Sequence, residues 1–330
     1  MRGVFTARAT SARPSFRAGL ACCALLALSS LATARTWEVG PNQTLSSPRQ
    51  AAELAKDGDR VVFDPGVYRG CAIWQASRLT IEARPPPETM NQTVMTQTII
   101  TGPTCANRGL FVFTGNDITV RGMTFQHARD TWHNGAGILM EGANLTVGNS
   151  QFLDNENGIL AGGPSNSVVR IRHDLFRGNG SCEGACAHAL YVGKRIARLE
   201  VLDCTFVDTH VGHHIKSRAR STVVRDSWIG DGPTGTSSYL IDLPDGGDAE
   251  IVNNVLQKGP GSENHDAAIS IGSEDRLNSE QTLEIRGNRF TNDLPEPVSF
   301  VRDRTSTPAR LAGNSLTGRV VPLEGPGTVE

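Results

Sequence analysis

Apolar positions recur with the same internal spacing from residue 120 to residue 316. In each repeat, a Leu, Ile or Val at the centre of a short alternating segment is followed five residues later by a second large apolar residue. The eight pairs are Val120 with Phe125, Val147 with Phe152, Ile171 with Phe176, Val201 with Phe206, Val224 with Ile229, Ile251 with Leu256, Ile285 with Phe290, and Leu311 with Leu316. Successive central residues lie 27, 24, 30, 23, 27, 34 and 26 positions apart. This pattern predicts a repeated structural unit that tolerates insertions.

Residues that tolerate left-handed backbone separate the two apolar positions of most pairs. They are Gly122, Asn149-Ser150, Asp203, Asp226-Ser227, Asn253-Asn254, Gly287-Asn288 and Gly313-Asn314. A second apolar segment follows each bend, at residues 137–141, 158–162, 188–193, 214–218, 239–243, 268–271 and 299–302. Strands this short cannot bury their apolar side alone, so we expect successive coils to stack on one another.

The repeat resembles the right-handed parallel β-helix of the pectate-lyase-like superfamily across roughly residues 60–318. The segment 46–56, with a serine cap and Pro48 in its first turn, predicts a short helix. Together with residues 57–68 it resembles the opening of that superfamily, where a helix caps the first coil. Segments 188–193, 212–219 and 237–247 also resemble uncharacterised secreted bacterial β-helix proteins. The resemblance implies an all-β solenoid, with a β-sandwich as the alternative, and it leaves the function open.

The first 34 residues have the composition of a secretory signal peptide. They carry four Arg and no acid, then an apolar run at 18–31, and then Ala32-Thr33-Ala34, which predicts cleavage near Ala34. The run is too short to span a bilayer. We therefore expect a signal peptide at 1–34, an N-terminal cap with a short helix at 35–59, the β-helix at 60–318 and a C-terminal tail at 319–330. The mature chain is predicted to be a secreted or periplasmic monomer.

Charge and cysteine content narrow the function classes. The formal net charge of −2 becomes about −6 once the four Arg of the signal are removed, which argues against nucleic acid as a partner. Basic residues nevertheless concentrate between 194 and 225. Of the five cysteines outside the signal, Cys182 with Cys186, and Cys71 with Cys105, are candidate disulfides in an exported chain. Cys204 lies inside a strand pattern and is predicted to be a buried thiol.

The strand at 214–218 carries the strongest candidate chemistry. If Leu190, Ile215, Ile241 and Ile269 form one inward column, the residues that follow them form an outward column on neighbouring coils: Tyr191, Lys216, Asp242 and Ser270. The same column should hold Leu139 and Leu160 on the preceding coils and Val301 on the following coil. By alternation, His214 and Arg218 should also face outward. His188 and His213 have the opposite parity. Each lies where its strand leaves a turn, so its ring either reaches the surface or bonds a backbone carbonyl in the turn.

Such a set of side chains matches the demands of β-elimination in a uronic-acid polymer. A cation must neutralise the substrate carboxylate, a base must remove the adjacent proton, and an acid should protonate the leaving oxygen. Arg218 suits the first role, Lys216 or His214 the second, and Tyr191 or His188 the third, with Asp242 holding Lys216 or an imidazole. Further binding residues are predicted to be His213, Ser270 and two residues outside this column, Arg195 and Trp132. Lyases and uronate epimerases of the superfamily that the repeat resembles use similar sets. Because epimerisation needs the same proton abstraction, a uronate epimerase is predicted alongside a lyase.

Three alternatives remain open at this stage. A hydrolase would use clustered carboxylates, for which Asp242, Asp245, Asp248, Glu263 and Glu274 are the candidates, although 245–248 favours a turn. A non-catalytic module would hold an acidic polysaccharide on its basic patch. A metal-binding version would use the histidines at 210, 213 and 214 with the acid at 208. No cofactor is predicted; Ca²⁺ is a candidate, but no clear acidic cluster for it is evident.

Overall fold

Three long parallel sheets wind around a common interior in the computed structural model, which describes residues 34–85, 97–274, 278–279 and 282–330. The predicted signal peptide at 1–34 lies outside these residues except for Ala34. One helix is found among the described residues, α1 at Pro48–Leu54. Ser47 caps it by accepting a hydrogen bond from the amide of Gln50, as the serine and proline pattern predicted.

Each coil contributes one strand to each sheet in turn. Sheet A consists of β1 (Thr36–Val39), β2 (Arg60–Phe63), β5 (Thr80–Ala83), β8 (Ile118–Arg121), β11 (Leu145–Gly148), β14 (Ser167–Arg172), β17 (Ile196–Leu202), β20 (Ser221–Arg225), β23 (Asp248–Val252), β26 (Leu283–Arg286), β29 (Ala309–Ala312) and β32 (Gly327–Val329). Sheet B consists of β3 (Gly66–Arg69), β6 (Thr98–Thr101), β9 (Met123–Gln126), β12 (Gln151–Leu153), β15 (Leu175–Arg177), β18 (Thr205–Val207), β21 (Trp228–Gly230), β24 (Val255–Lys258), β27 (Arg289–Asn292) and β30 (Ser315–Thr317). Sheet C consists of β4 (Ala72–Trp74), β7 (Gly109–Phe113), β10 (Ala136–Met140), β13 (Asn157–Ala161), β16 (Leu190–Val192), β19 (Ile215–Ser217), β22 (Ile241–Leu243), β25 (Ala267–Ile271), β28 (Val298–Asp303) and β31 (Val320–Glu324).

The predicted apolar columns stand in register. All eight central residues, from Val120 to Leu311, are direct neighbours along sheet A. Their eight partners, from Phe125 to Leu316, are direct neighbours along sheet B. Within the sheet B column, the rings of Phe152, Phe176 and Phe206 stack with centroids 4.7 and 4.4 Å apart. The repeated apolar residues therefore form the core of the solenoid.

The bends between sheets A and B combine left-handed backbone with a ladder of polar side chains. Asn149, Asp203 and Asn253 have φ near +55° there, as the sequence predicted. At most of these bends, the residue that follows bonds the backbone of the preceding coil. For example, Asn288 Oδ1 accepts the backbone amide of Asn254 at 2.9 Å, and its Nδ2 donates to the carbonyl of Ile251 at 2.9 Å. These buried bonds fix the register between coils.

The solenoid extends beyond the predicted limits of 60–318. Strand β1 begins sheet A ahead of residue 60, and β31 and β32 add to sheets C and A within the predicted tail at 319–330. Disulfides join Cys71 to Cys105 and Cys182 to Cys186, and Cys204 is a buried free thiol. Among the residues that the structure describes, no helix is long and apolar enough to cross a membrane.

Candidate functional site

The outer face of sheet C changes from apolar to polar along the solenoid. Val112 and Leu139, on β7 and β10, face outward but are covered by the Cys71–Cys105 disulfide and are almost fully buried. Leu160 on β13 continues the column and contacts this cluster. The polar residues begin on the next coil, so the chemistry is confined to the middle of sheet C.

The predicted outward column is confirmed by strand register. Tyr191 pairs with Lys216, Lys216 with Asp242, and Asp242 with Ser270 on successive coils. The next residue in the column is Arg302, not Val301, so this prediction was wrong. Val301 pairs instead with Ile269 and is fully buried, because this residue has the inward parity. The column therefore gains a second cationic residue at its far end.

Lys216 lies between two carboxylates. Its Nζ is 3.3 Å from Asp242 Oδ2 and 3.1 Å from Glu274 Oε1. Asp242 is 2% exposed, and burial raises its pKa to about 6, although the charge of Lys216 opposes that shift. A hydrogen bond from the hydroxyl of Ser270, on the next coil, also opposes the shift.

Arg218 is held by two carboxylates as well. Its guanidinium donates to Asp245 Oδ1 and to Glu274 Oε2. Burial disfavours the charge of Arg218, but the bond to Glu274 and the charge of Asp245 outweigh burial, so its pKa is raised. The pKa of Glu274 is lowered, because its bonds to Arg218 and Lys216 outweigh the opposing effect of burial. One half-exposed carboxylate therefore bridges the two cations.

A ladder of rings borders this column. The imidazoles of His188 and His213 stack with centroids 4.8 Å apart, and the ring of Tyr239 lies 5.3 Å beyond His213. The ring of His188 also lies 5.5 Å from that of Tyr191. His213 Nε2 is 3.4 Å from Asp242 Oδ2, which joins the ladder to the charged column.

Backbone amides fix the tautomer of both imidazoles. His188 Nδ1 accepts from the amide of His213, and His213 Nδ1 accepts from the amide of Tyr239, each at 3.0 Å. The alternative that each ring bonds a backbone carbonyl was therefore wrong. Burial lowers the pKa of His188 to about 3, helped by the charges of Lys216 and Arg218, and burial likewise lowers that of His213. Both rings are thus neutral, with the proton on Nε2.

His214 does not face outward, and that prediction was wrong. Its ring is fully buried, with Nδ1 2.7 Å from the hydroxyl of Thr209 and Nε2 3.1 Å from Asp231 Oδ1. Strand β19 begins only at Ile215, and Val211 and Gly212 have left-handed backbone. The alternation of a strand consequently does not apply at residue 214. The ring therefore lies in the interior and not in the outward column.

The other predicted binding residues lie at the edges of this region. Arg195 is exposed in the turn after β16. Trp132 is 75% exposed in the loop before β10. The neighbouring His133 lies 3.2 Å from Glu183 in the disulfide loop, so these two loops contact one another. Because β10 lies two coils from β16, Trp132 belongs to a coil about 10 Å from that of Tyr191 along the solenoid axis.

Two contributors were not recognised in these roles from the sequence. Glu274 was a candidate only for hydrolysis, whereas here it binds both Lys216 and Arg218. Tyr239 was not singled out, although aligning the residues two places before Leu190, Ile215 and Ile241 places it in the same column as His188 and His213.

The side chains predicted for a hydrolase or for a metal site do not converge on one place in the structure, or they already bind other side chains. Asp245 and Glu274 both bind Arg218, but Asp248 begins β23 in sheet A and Glu263 lies on an exposed loop. In the part of the chain that the structure describes, no group of three or more His, Cys, Asp or Glu side chains is placed to hold a metal ion. Asp242, Asp245 and Glu274 act instead as partners of cations.

Comparisons with known proteins agree with this architecture. The family model for a right-handed β-helix region matches residues 68–229. An alginate lyase from Paenibacillus sp. str. FPU-7 has a similar structure, with a TM-score of 0.51, 17% identity, and coverage of 89% of this chain and 99% of that chain. The A-module of mannuronan C-5 epimerase AlgE4 from Azotobacter vinelandii aligns with a TM-score of 0.46 and 13% identity over 85% of this chain and 93% of that chain. No curated protein sequence matches the chain. With its three parallel sheets, the chain has the fold of a right-handed parallel β-helix.

Proposed function

We propose that the protein is exported and cleaves an acidic, uronate-containing polysaccharide by β-elimination on the outer face of sheet C. The main support is that Lys216 and Arg218 share one half-exposed carboxylate, beside a tyrosine and two neutral imidazoles. A uronate presents the same chemical group to those two cations. Two disulfides support an oxidising, extracytoplasmic location.

Neutralisation of the substrate carboxylate falls to Lys216 and Arg218. Removing a proton from the carbon next to a carboxylate builds negative charge on its oxygens, and fixed cations stabilise that charge. The guanidinium of Arg218 stays charged and can pair with both oxygens at once. The Nε2–H group of His188 adds a neutral hydrogen-bond donor at the same edge, because its Nδ1 is already occupied, while Nε2 of His213 lies beside Asp242.

Proton transfer falls to Asp242 and Tyr191 in this proposal. Asp242 lies beside Lys216 and has a pKa of about 6, so near neutral pH it is ionised and still basic enough to accept a proton. Tyr191 lies on the coil before that of Lys216, and its hydroxyl can protonate the leaving oxygen. This assignment replaces both bases predicted from the sequence: Lys216 is placed instead with the cations that bind the carboxylate, and the ring of His214 binds Thr209 and Asp231 in the interior.

A panel of polymers separates the candidate reactions. The mature protein is incubated with alginate, pectate, glucuronan and glycosaminoglycans, with alginate first because a solved structure of similar fold is an alginate lyase. New ultraviolet absorbance from an unsaturated product supports elimination. Reducing ends without that absorbance indicate hydrolysis, altered sugar configuration without cleavage indicates epimerisation, and retention without turnover indicates a binding module; each of these contradicts the proposal.

Matched variants test the residue assignment. Lys216→Ala and Arg218→Ala should each lower turnover by at least about a hundredfold, the scale expected when a group that stabilises developing charge is lost. Lys56→Ala and Arg170→Ala remove the same charges outside the site and should leave turnover unchanged. Unaltered circular dichroism excludes loss of fold as the cause. Full activity in both site variants would refute the assignment.

A further inference from the structure

The carboxylate of Glu274 is the most accessible part of the charged cluster. Its side chain is 43% exposed, whereas those of Lys216 and Arg218 are 12% and 10% exposed. Each of its oxygens engages a different cation: Oε1 is 3.1 Å from Lys216 Nζ, and Oε2 accepts a hydrogen bond from Arg218 Nη2. Glu274 thus places a carboxylate at the point where the two cationic side chains converge.

Both cations have a second partner that is fixed in place. Lys216 also contacts Asp242 and Arg218 also contacts Asp245, and the side chains of these two acids are 2% and 0% exposed. Because each cation keeps a buried counter-charge, removal of Glu274 leaves neither of them unpaired in a low-dielectric environment. The set of three carboxylates and two cations would then change from a net charge of −1 to neutral. The ion pairs of Lys216 with Asp242 and of Arg218 with Asp245 therefore do not need Glu274, and its negative charge opposes the binding of an anion.

We propose that Lys216 and Arg218 form a subsite for a ligand carboxylate, and that Glu274 occupies this subsite as an internal competitor. The inference rests on the proposed function, because it takes the uronate of the substrate as the ligand. A uronate can place its carboxylate between the two cations only after the side chain of Glu274 has moved away. Apparent affinity for a ligand carboxylate is then reduced by the fraction of molecules in which the subsite is free.

An adjoining cavity can receive the displaced side chain. The cavity has a volume of about 330 Å³ and is lined by Glu274 itself together with Tyr239, Arg302 and Arg304. Both of these arginines bind the carboxylate of Glu324, at 2.8 and 3.2 Å, and Arg302 also binds that of Asp266 at 3.0 Å. Rotation of Glu274 into this cavity would exchange one pair of cations for another. The carboxylate of Glu274 would consequently stay next to two guanidinium groups while the subsite is open.

Calorimetric titration of oligouronates tests this inference. Trigalacturonate and trimannuronate are the probes, and neutral maltotriose is the ligand control. Glu274→Gln keeps the shape of the side chain but removes its charge, and should bind at least one trimer about tenfold more tightly than the wild type, as expected if the subsite is free in about a tenth of molecules. Glu263→Gln removes the same charge from an exposed loop between β24 and β25 and should change affinity less than about twofold.

The outcomes separate this inference from the proposed reaction. An equal gain of affinity in Glu274→Gln and Glu263→Gln would indicate a general charge effect and would overturn the inference. Unchanged affinity in Glu274→Gln, or no binding of either trimer to any variant, would overturn it as well. Tighter binding that is lost again when Arg218→Ala is added supports the subsite. If that result is obtained but no polymer yields an unsaturated product, the subsite stands and elimination fails. If elimination is observed but affinity is unchanged in Glu274→Gln, the reaction stands and the internal competitor is overturned.

Discussion

Replacing His188 by Asn should change how the stability of the protein depends on pH. The ring of His188 is buried and neutral, and its Nδ1 accepts the backbone amide of His213 at 3.0 Å. An Asn side chain can offer its Oδ1 to the same amide, so the variant keeps this acceptor while losing the titratable ring. Any loss of stacking against His213 is independent of pH and cancels when the two proteins are compared at two pH values.

The magnitude follows from the two pKa values of His188. Its folded-state pKa is about 3, and its ordinary value is 6.5. Because the unfolded chain takes up a proton below pH 6.5 and the folded chain does not, the stabilisation is present above that pH and is lost as pH falls. From about pH 7.5 to about pH 5, linkage gives a loss of about 2 kcal/mol in the wild type that the variant does not share.

Urea denaturation followed by tryptophan fluorescence, at both pH values, measures this difference. The unfolding free energy of the wild type relative to His188→Asn should fall by about 2 kcal/mol on acidification. His127→Asn removes an exposed imidazole, with a side chain 56% exposed, and should follow the wild type within about 0.5 kcal/mol. If His188→Asn follows the wild type equally closely, the ring is not held neutral, and the donor role assigned to its Nε2–H is refuted.

Three further outcomes are expected. The value of kcat/KM should rise with pH around 6, the pKa of Asp242. Asp242→Asn should abolish this pH-dependent activity. A wild-type kcat/KM that does not change with pH would exclude Asp242 as the base. Asn288→Ala should lower the unfolding free energy by about 3 kcal/mol, since two or more buried backbone and amide groups lose a partner at about 1–3 kcal/mol each; a urea midpoint equal to that of the wild type would contradict the ladder. Replacing Cys71 and Cys105 together by Ser should cost about 4 kcal/mol, given a sequence separation of 34 residues, and a loss under about 1 kcal/mol in thermal or urea unfolding would show that the bond constrains the unfolded chain little.

The interior of the solenoid could be predicted from the sequence because it repeats. Each coil must place one apolar residue in sheet A and another in sheet B, separated by a bend that accepts left-handed backbone. Since that requirement recurs eight times, the register follows from aligning the repeats, and the neighbours of Lys216 in sheet C were predicted correctly on this basis. One bend departs from the pattern: His173 has φ of 58° where other coils use Gly, Asn or Asp.

The parts of the site that the sequence did not predict depend on turns and long side chains. His214 precedes its strand, so its direction is set by the left-handed residues Val211 and Gly212 rather than by alternation. Glu274 lies beyond the end of β25, and no periodic pattern specifies which cation its side chain reaches. The segment 298–302 is apolar at alternate and adjacent positions, which allowed Val301 to be assigned a register that belongs to Arg302.

Elimination on the outer face of sheet C is the central claim about this protein. The most direct measurement is the time course of ultraviolet absorbance when the wild type and Lys216→Ala are given the same uronate polymer at equal concentration. We predict a steady rise of the unsaturated product with the wild type, and a rate at least about a hundredfold lower with the variant. Equal rates, or no absorbance from the wild type with any uronate polymer, would contradict this claim.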